Sequence, residues 1–177
     1  MRPLPPAPPR LAKRAVQGGR VFACLFIGLA TPAASQQQSL GIFGLWGSFA
    51  AGTRCWAVAE PVAAPAGTRP YASIGYPMGR PAAGRAYFRL SRAKREGSAV
   101  LLRIDGRTFQ LRGGGADAWG ADAAADREIV SAMRTGVDMS VQTRSASGAL
   151  VRDAYRLRGA ATAIDAAAIA CARRDRK

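Results

Sequence analysis

The sequence predicts a mainly β protein, with one antiparallel, sandwich-like β domain, two packed helices and an N-terminal leader. Three observations carry this prediction. From residue 40 onward, short runs rich in β-branched and aromatic residues are separated by Gly, Pro and Asp-Gly turns. Two longer segments place apolar residues at helical spacing. The first 35 residues have the order of charge, apolar stretch and small residues that is typical of a leader.

The leader is interpreted as a secretory signal peptide. Proline and basic residues precede ten apolar residues, Val21 to Ala30, and the small-residue segment 31–35 follows, which predicts cleavage after Ala33 or Ser35. Ten residues are about half of what a membrane-spanning helix needs, so no transmembrane anchor is expected after processing. Lipidation of Cys24 is the alternative, but no apolar signal segment lies upstream of that cysteine.

Residues 36–177 are predicted to form a single domain. Their 142 residues lie within the usual range for one domain. They hold 21 of the 26 basic residues and all 11 acidic ones, which leaves a net charge of +10. Such a charge favours anionic neighbours, although solubility alone is an alternative explanation. Residues 173–177 are predicted to be a basic tail that frays from the domain.

The cysteine count predicts one disulfide bond. After export only Cys55 and Cys171 remain, and an even pair in an oxidising compartment is typical of a disulfide. Two buried free thiols are the alternative, because unpaired cysteines also favour burial.

The first half of the domain is predicted to consist of strands and turns. Segments 42–49 and 54–59 have strand-like composition, and Trp46, Phe49 and Trp56 are expected in the core. A linker rich in Pro, Ala and Gly follows at 61–70. Further strands are expected at 71–76 and 86–90, with a turn-rich crossing between them.

The Asp105-Gly106 pair gives the clearest local signal. It lies between two apolar runs and predicts a two-residue hairpin with a type I′ turn, in which both residues have positive φ. The turn fixes the register of the facing residues, which pairs Ile104 with Arg107, Leu102 with Phe109 and Val100 with Leu111. A second strand pair is predicted around a Ser147-Gly148 turn.

Two helices interrupt the strand pattern. The first is predicted over 122–135, with acidic residues at its start and Gly136 at its end. The second is predicted to begin near Thr162, whose hydroxyl would cap the helix together with Asp165. Its apolar stripe would carry Cys171 toward the strand that holds Cys55.

The residue types argue against most catalytic chemistry. The chain has no histidine, which excludes His-based triads and His metal ligands. Ser91 and Lys94 match the S-x-x-K spacing of penicillin-recognising enzymes, but the partner motifs are missing and a basic loop is preferred. We therefore expect no enzyme activity, no metal and no cofactor.

Two further segments have simple structural explanations. The glycine-rich run 113–117 lacks the Lys-Ser/Thr of a phosphate-binding loop and is interpreted as a flexible connection into the first helix. Asp117, Asp122 and Asp126 could serve hydrolysis as paired carboxylates, but acidic residues at a helix start explain them more simply.

Six cations within a short stretch form the candidate anion-binding patch. They are Arg80, Arg85, Arg89, Arg92, Lys94 and Arg95, with Tyr87 and Phe88 interleaved. Such a pattern could hold a polyanion by charge and stacking. The alternative is a solvated sheet edge whose charges prevent pairing with other sheets. No specific nucleic acid partner is expected.

Several segments together resemble the invasion-associated locus B family. They are the leader, 44–47 to 55–58, 102–106, 129–137 and 155–159 followed by an alanine-rich helix. The resemblance implies an exported envelope or periplasmic protein of a Gram-negative bacterium, with no established enzyme activity and, in some members, an association with host-cell invasion. This chain departs from members with additional cysteines in the middle region, where it has 113–117 instead.

The predicted function is therefore a non-enzymatic binding or structural role in the cell envelope. The expected partners are anionic envelope components or another envelope protein. A peptidoglycan hydrolase and a polyanion-binding envelope module are the alternatives.

Overall fold

The computed structural model describes residues 36–77 and 84–174. The predicted signal peptide, Arg80 of the candidate patch and residues 175–177 of the basic tail lie outside the described residues. Within the described part, ten strands form one antiparallel sheet and two helices pack beside it. The mainly β fold class with two helices is confirmed.

The chain runs through eight strands, a helix, a hairpin and a final helix. The elements are β1 Gln38–Phe43, β2 Trp46–Ala51, β3 Arg54–Ala59, β4 Tyr71–Pro77, β5 Arg85–Arg89, β6 Val100–Ile104, β7 Arg107–Gly114, β8 Asp117–Trp119, α1 Ala123–Thr135, β9 Asp138–Arg144, β10 Leu150–Arg156 and α2 Ala160–Arg174. The order in the sheet is β1-β2-β3-β4-β5-β8-β7-β6-β9-β10. Among the described ranges, no helix is long and apolar enough to cross a membrane.

The strands β1 to β4 bury one face against α2. Alternate residues of each strand point to the same side, and those that point toward α2 include the fully buried Ala57, Ala72 and Ile74. The helix contributes the equally buried Ala163 and Ala167. Small side chains on both sides let the helix lie close to the sheet. We call the opposite side of these strands the outer face.

The predicted hairpin register is confirmed. Ile104 pairs with Arg107, Leu102 with Phe109 and Val100 with Leu111. The predicted turn conformation is wrong in one respect, because Asp105 has a φ of 48° but Gly106 does not have positive φ. Tertiary contacts hold the turn, since the Asp105 carboxylate accepts hydrogen bonds from the Val137 and Asp138 amides, the latter at 3.0 Å.

The second predicted strand pair is also present, as β9 and β10. Val151, Asp153 and Tyr155 alternate along β10, and all three are buried. Burial of Asp153 is compensated because its Oδ2 accepts a hydrogen bond of 2.9 Å from the Ser91 amide. A carboxylate therefore lies among apolar core residues.

The first helix agrees with its prediction. Asp122 is the N-cap of α1, and its carboxylate accepts hydrogen bonds of 2.9 Å from the amides of Ala124 and Ala125. These two bonds are the main reason that the pKa of Asp122 lies below its usual range. The apolar stripe Ile129, Val130 and Met133 is buried.

The predicted start of the second helix is wrong. It begins at Ala160, so Thr162 lies inside the first turn and does not cap it. Gly159, with a φ of 92°, turns the chain at the end of β10, and its carbonyl oxygen accepts a hydrogen bond from the Ala163 amide. Asp165 instead forms an ion pair with Arg134 of α1.

Two predicted segments are divided differently. The strand-like segment 42–49 is divided between β1 and β2, because Gly44 adopts a φ of 61° in the turn between them. The glycine-rich run 113–117 is not a flexible connection. It forms the end of β7, the turn and the start of β8, and Gly115 in the turn has a φ of 58°.

Candidate functional site

The structure divides the described members of the candidate patch between two places. Arg85 and Arg89 lie on the outer face of β5, with Tyr87 between them. Arg92, Lys94 and Arg95 follow β5 in irregular structure. The amide of Lys94 donates to the Gly115 carbonyl, and that of Arg95 to the Arg144 carbonyl, each at 2.7 Å. Lys94 and Arg95 therefore lie beside the ends of the β7–β8 and β9–β10 hairpins.

The S-x-x-K spacing of Ser91 and Lys94 has no catalytic geometry. Both residues lie outside any helix, so Lys94 does not sit one helical turn from the serine hydroxyl. Ser91 is buried and its amide bonds to Asp153, while Lys94 forms an isolated bridge with Ser145. The preferred interpretation, a basic loop, agrees with this arrangement.

An open groove of about 900 Å³ lies on the outer face of β3, β4 and β5. We call it the outer groove. The residues that give it its character are Arg54, Trp56, Tyr71, Ser73, Gly75 and Arg85.

Strand register explains why a groove forms here. Trp56 of β3, Gly75 of β4 and Arg85 of β5 are paired across the sheet, and so are Val58, Ser73 and Tyr87. Small residues on the central strand thus lie between larger ones on both neighbours. A Cβ added to Gly75 would meet no atom within 4 Å, so the space above the floor is open.

Two aromatic rings that line the outer groove each lie beside a second ring. The Trp56 ring lies 6.1 Å from that of Phe49, and the Tyr71 ring lies 5.8 Å from that of Tyr87. The expectation that Phe49 and Trp56 belong to the core is wrong, whereas Trp46 is fully buried as predicted. Trp56 directly follows the buried Cys55, so strand alternation directs its side chain to the outer face.

The charge of the outer groove is uneven along its length. Arg54 and Arg85 lie on opposite sides of β4 near Pro77, and none of the described residues that line the groove carries a carboxylate. Near Tyr71, at the other end, the guanidinium of Arg89 is paired with Asp117 at 2.7 Å. One end of the outer groove is therefore cationic, and the cation nearest the other end is neutralised.

A disulfide bond lies directly behind the groove. It joins Cys55 and Cys171, whose Cα atoms are 5.7 Å apart, and so attaches α2 to β3. The Cys171 sulfur also packs 3.3 Å from the carbonyl oxygen of Tyr76 on β4. The two strands beneath the groove are thus fixed from the inner face.

A smaller pocket of about 430 Å³ lies at the start of α1, where Asp122 and Asp126 are part of its lining. Burial raises the pKa of Asp126, against the opposing effects of a hydrogen bond from the Ala86 amide and the charge of Arg85. The Asp122 pKa is lowered, as described for the helix cap. Among the described residues, no group of three or more His, Cys, Asp or Glu side chains is arranged to hold a metal ion.

Sequence reasoning missed the outer groove and most of its residues. Of the described members of the candidate patch, Arg85 alone also belongs to the groove lining. Arg54, Trp56 and Tyr71 were not predicted as site residues, although alternation from Cys55 indicates which way Trp56 points.

Comparison with known proteins supports the fold. No protein-family model matches the chain. No curated protein matches it either. The crystal structure of invasion associated protein B from Bartonella henselae is similar, with a TM-score of 0.53 and 16% sequence identity, over 77% of this chain and 99% of that one. At this identity, the similarity shows a shared fold.

Proposed function

We propose that this chain is an exported cell-envelope protein of the invasion-associated locus B type, which binds anionic envelope components and catalyses no reaction on them. The outer groove is the observation that carries the proposal. It presents arginines on both sides of β4, aromatic rings, and no carboxylate among the described lining residues. The shared fold with the Bartonella protein over nearly the whole of that structure supports the family assignment.

Export is supported by the order of residues in the leader and by the Cys55–Cys171 disulfide, since such bonds persist in oxidising compartments. The test is the intact mass of protein from a periplasmic fraction, alkylated without prior reduction. We expect a mass that corresponds to cleavage after Ala33 or Ser35 and carries no alkyl group. An uncleaved chain with alkylated thiols would contradict export.

Anion binding is supported by the positive charge of residues 36–177, which is +10. Attraction between such a protein and a polyanion weakens as salt shortens the range of electrostatic interactions. We expect the purified protein to bind lipopolysaccharide micelles at low salt and to lose affinity steeply as sodium chloride is added. Affinity that is independent of salt would count against this function.

A peptidoglycan hydrolase is the second candidate, favoured by the opposite pKa shifts of Asp122 and Asp126 in one pocket. It ranks second because both carboxylates accept backbone hydrogen bonds that hold α1 and β5. Release of soluble fragments from purified peptidoglycan, abolished by Asp126→Asn with the fold intact, would reverse this order.

A further inference from the structure

We infer that the outer groove binds a linear acidic glycan, with sugar rings packed on its aromatic side chains and an anionic substituent held between Arg54 and Arg85. This inference rests on the proposed function of the chain as an envelope binding protein and names the ligand class of that binding.

The shape of the groove favours a chain rather than a compact molecule. Its floor follows β4, whose seven residues span roughly 20 Å. Its walls stand on the two neighbouring strands, which are about 10 Å apart because each strand spacing is about 4.8 Å. A single extended chain matches these two dimensions.

The lining favours sugar rings. A pyranose ring presents an apolar C–H face and a rim of hydroxyls, so it needs an aromatic surface beside polar groups. Trp56 and Tyr71 supply such surfaces, and each ring is held by a second aromatic side chain. The Ser73 hydroxyl and the guanidinium groups supply polar atoms within the same groove.

The distribution of charge separates a glycan from a nucleic acid. A single nucleic acid strand carries a phosphate at every nucleotide and needs cations along its whole path. Here Arg54 and Arg85 serve one end, while Arg89 near the other end is already paired with Asp117. Widely spaced charges on an otherwise neutral ring polymer match this pattern. The geometry of a guanidinium group suits a carboxylate and a phosphate equally well.

The position of the groove also argues against an acidic peptide. Extended peptides commonly bind by adding a strand to a sheet edge, where backbone groups are free to pair. The outer groove lies instead on the face of β3, β4 and β5, and β4 is hydrogen-bonded on both sides. Side chains are therefore the groups that meet the ligand.

The sharpest test fills the groove without disturbing the fold. In Gly75→Val the new side chain enters open space on a strand, where valine is well tolerated. Gly114→Val is the matched control, because Gly114 is also in a strand with open space around it and lies outside the groove. Arg85→Ala tests the charge, and Arg152→Ala on β10 is its control.

The probe is an oligogalacturonate, a chain of carboxylated sugar rings, titrated by calorimetry into the purified disulfide-bonded protein. We expect Gly75→Val and Arg85→Ala to weaken binding by about tenfold or more, and both controls to stay within about twofold of the wild type. In a Trp119→Phe background, we also expect the probe to change the fluorescence of Trp56, since Trp46 is fully buried.

Three outcomes would overturn the inference. The first is an unchanged affinity of Gly75→Val for the oligogalacturonate. The second is an equal affinity of the wild type for a neutral maltooligosaccharide. The third is tighter binding of an oligodeoxythymidylate with the same number of units as the oligogalacturonate. Salt-dependent binding of lipopolysaccharide that persists in all groove variants would leave the proposed function standing while removing the groove from it. Binding of no polyanion at all would remove both.

Discussion

Tyr87, Arg89 and Asp117 form a hydrogen-bonded group beside the outer groove. The Asp117 carboxylate accepts hydrogen bonds from the Tyr87 hydroxyl and from Nη1 of Arg89. Burial, and after it the hydrogen bond to Asp117, raise the pKa of Tyr87 to about 12. The bonds from Tyr87 and Arg89 in turn hold the pKa of Asp117 below its usual range. Arg89 is thereby committed to a partner within the chain.

Replacement of Asp117 should be visible in the titration of Tyr87. In Asp117→Asn we expect the pKa of Tyr87 to fall from about 12 toward its ordinary value, but to stay above it because burial remains. Phenolate absorbance measured against pH checks this, and Tyr87→Phe identifies which transition belongs to Tyr87. An unchanged Tyr87 transition in Asp117→Asn would contradict the role of the carboxylate.

At the scale of elements, the end of β10 and the turn between β1 and β2 are in close contact. The Trp46 indole donates a hydrogen bond of 2.9 Å to the Arg156 carbonyl, and the Leu45 amide donates to the Arg158 carbonyl at 3.3 Å. A Cβ on Gly159 would lie 1.7 Å from the carbonyl oxygen of Phe43. Only glycine fits where these two backbones meet.

A side chain at Gly159 should therefore be costly. We expect Gly159→Ala to lower the free energy of unfolding by about 2 to 4 kcal/mol, since it combines a collision with backbone strain. The free energy of unfolding is measured by urea denaturation, with fluorescence as the signal. The control is Gly97→Ala, which shares a positive φ of 73° but meets no atom within 4 Å and should lose only about 1 kcal/mol. Equal losses in the two variants would refute the collision.

Element prediction succeeded where local chemistry decides the structure. The Asp105-Gly106 hairpin was predicted with its full register because a two-residue turn leaves the two strands no other pairing. The start of α2 was not predicted correctly, because it depends on Gly159. The conformation of Gly159 is required by its contact with Phe43, which is far away in the sequence. Local signals such as the Thr162 hydroxyl could not reveal that contact.

At the scale of the whole molecule, the disulfide constrains most of the described chain. The two cysteines are separated by 116 residues, and the loop between them contains every strand from β4 to β10. Closing so long a loop removes much of the conformational entropy of the unfolded chain. The bond also joins α2 to β3 beneath the outer groove.

Removal of the disulfide should cost stability. We expect Cys55→Ala combined with Cys171→Ala to lower the free energy of unfolding by about 3 to 5 kcal/mol, measured by urea denaturation. Reductant should destabilise the wild type by a similar amount and leave the double variant unchanged. Equal stability of the wild type with and without reductant would contradict the proposed contribution.

The outer groove shows what could not be predicted from the sequence. The disulfide bond could be predicted because only two cysteines remain after export, and the strands β3 to β5 could be predicted from their amino-acid composition. The groove, however, depends on the register that places Gly75 between Trp56 and Arg85, and no two-residue Asp-Gly signal joins these strands in the sequence. The pairing of β5 with β8, which are separated in the chain by β6 and β7, likewise depends on tertiary packing rather than on neighbouring residues.

The long disulfide loop also changes how backbone cleavage of this protein would be observed. Residues 62–67 of the connection between β3 and β4 are exposed, which makes this segment a favoured site for a protease. A cut there falls inside the loop closed by Cys55 and Cys171, so both fragments stay covalently joined. A nicked molecule would migrate as a full-length chain in a non-reducing gel and separate into two pieces only after reduction.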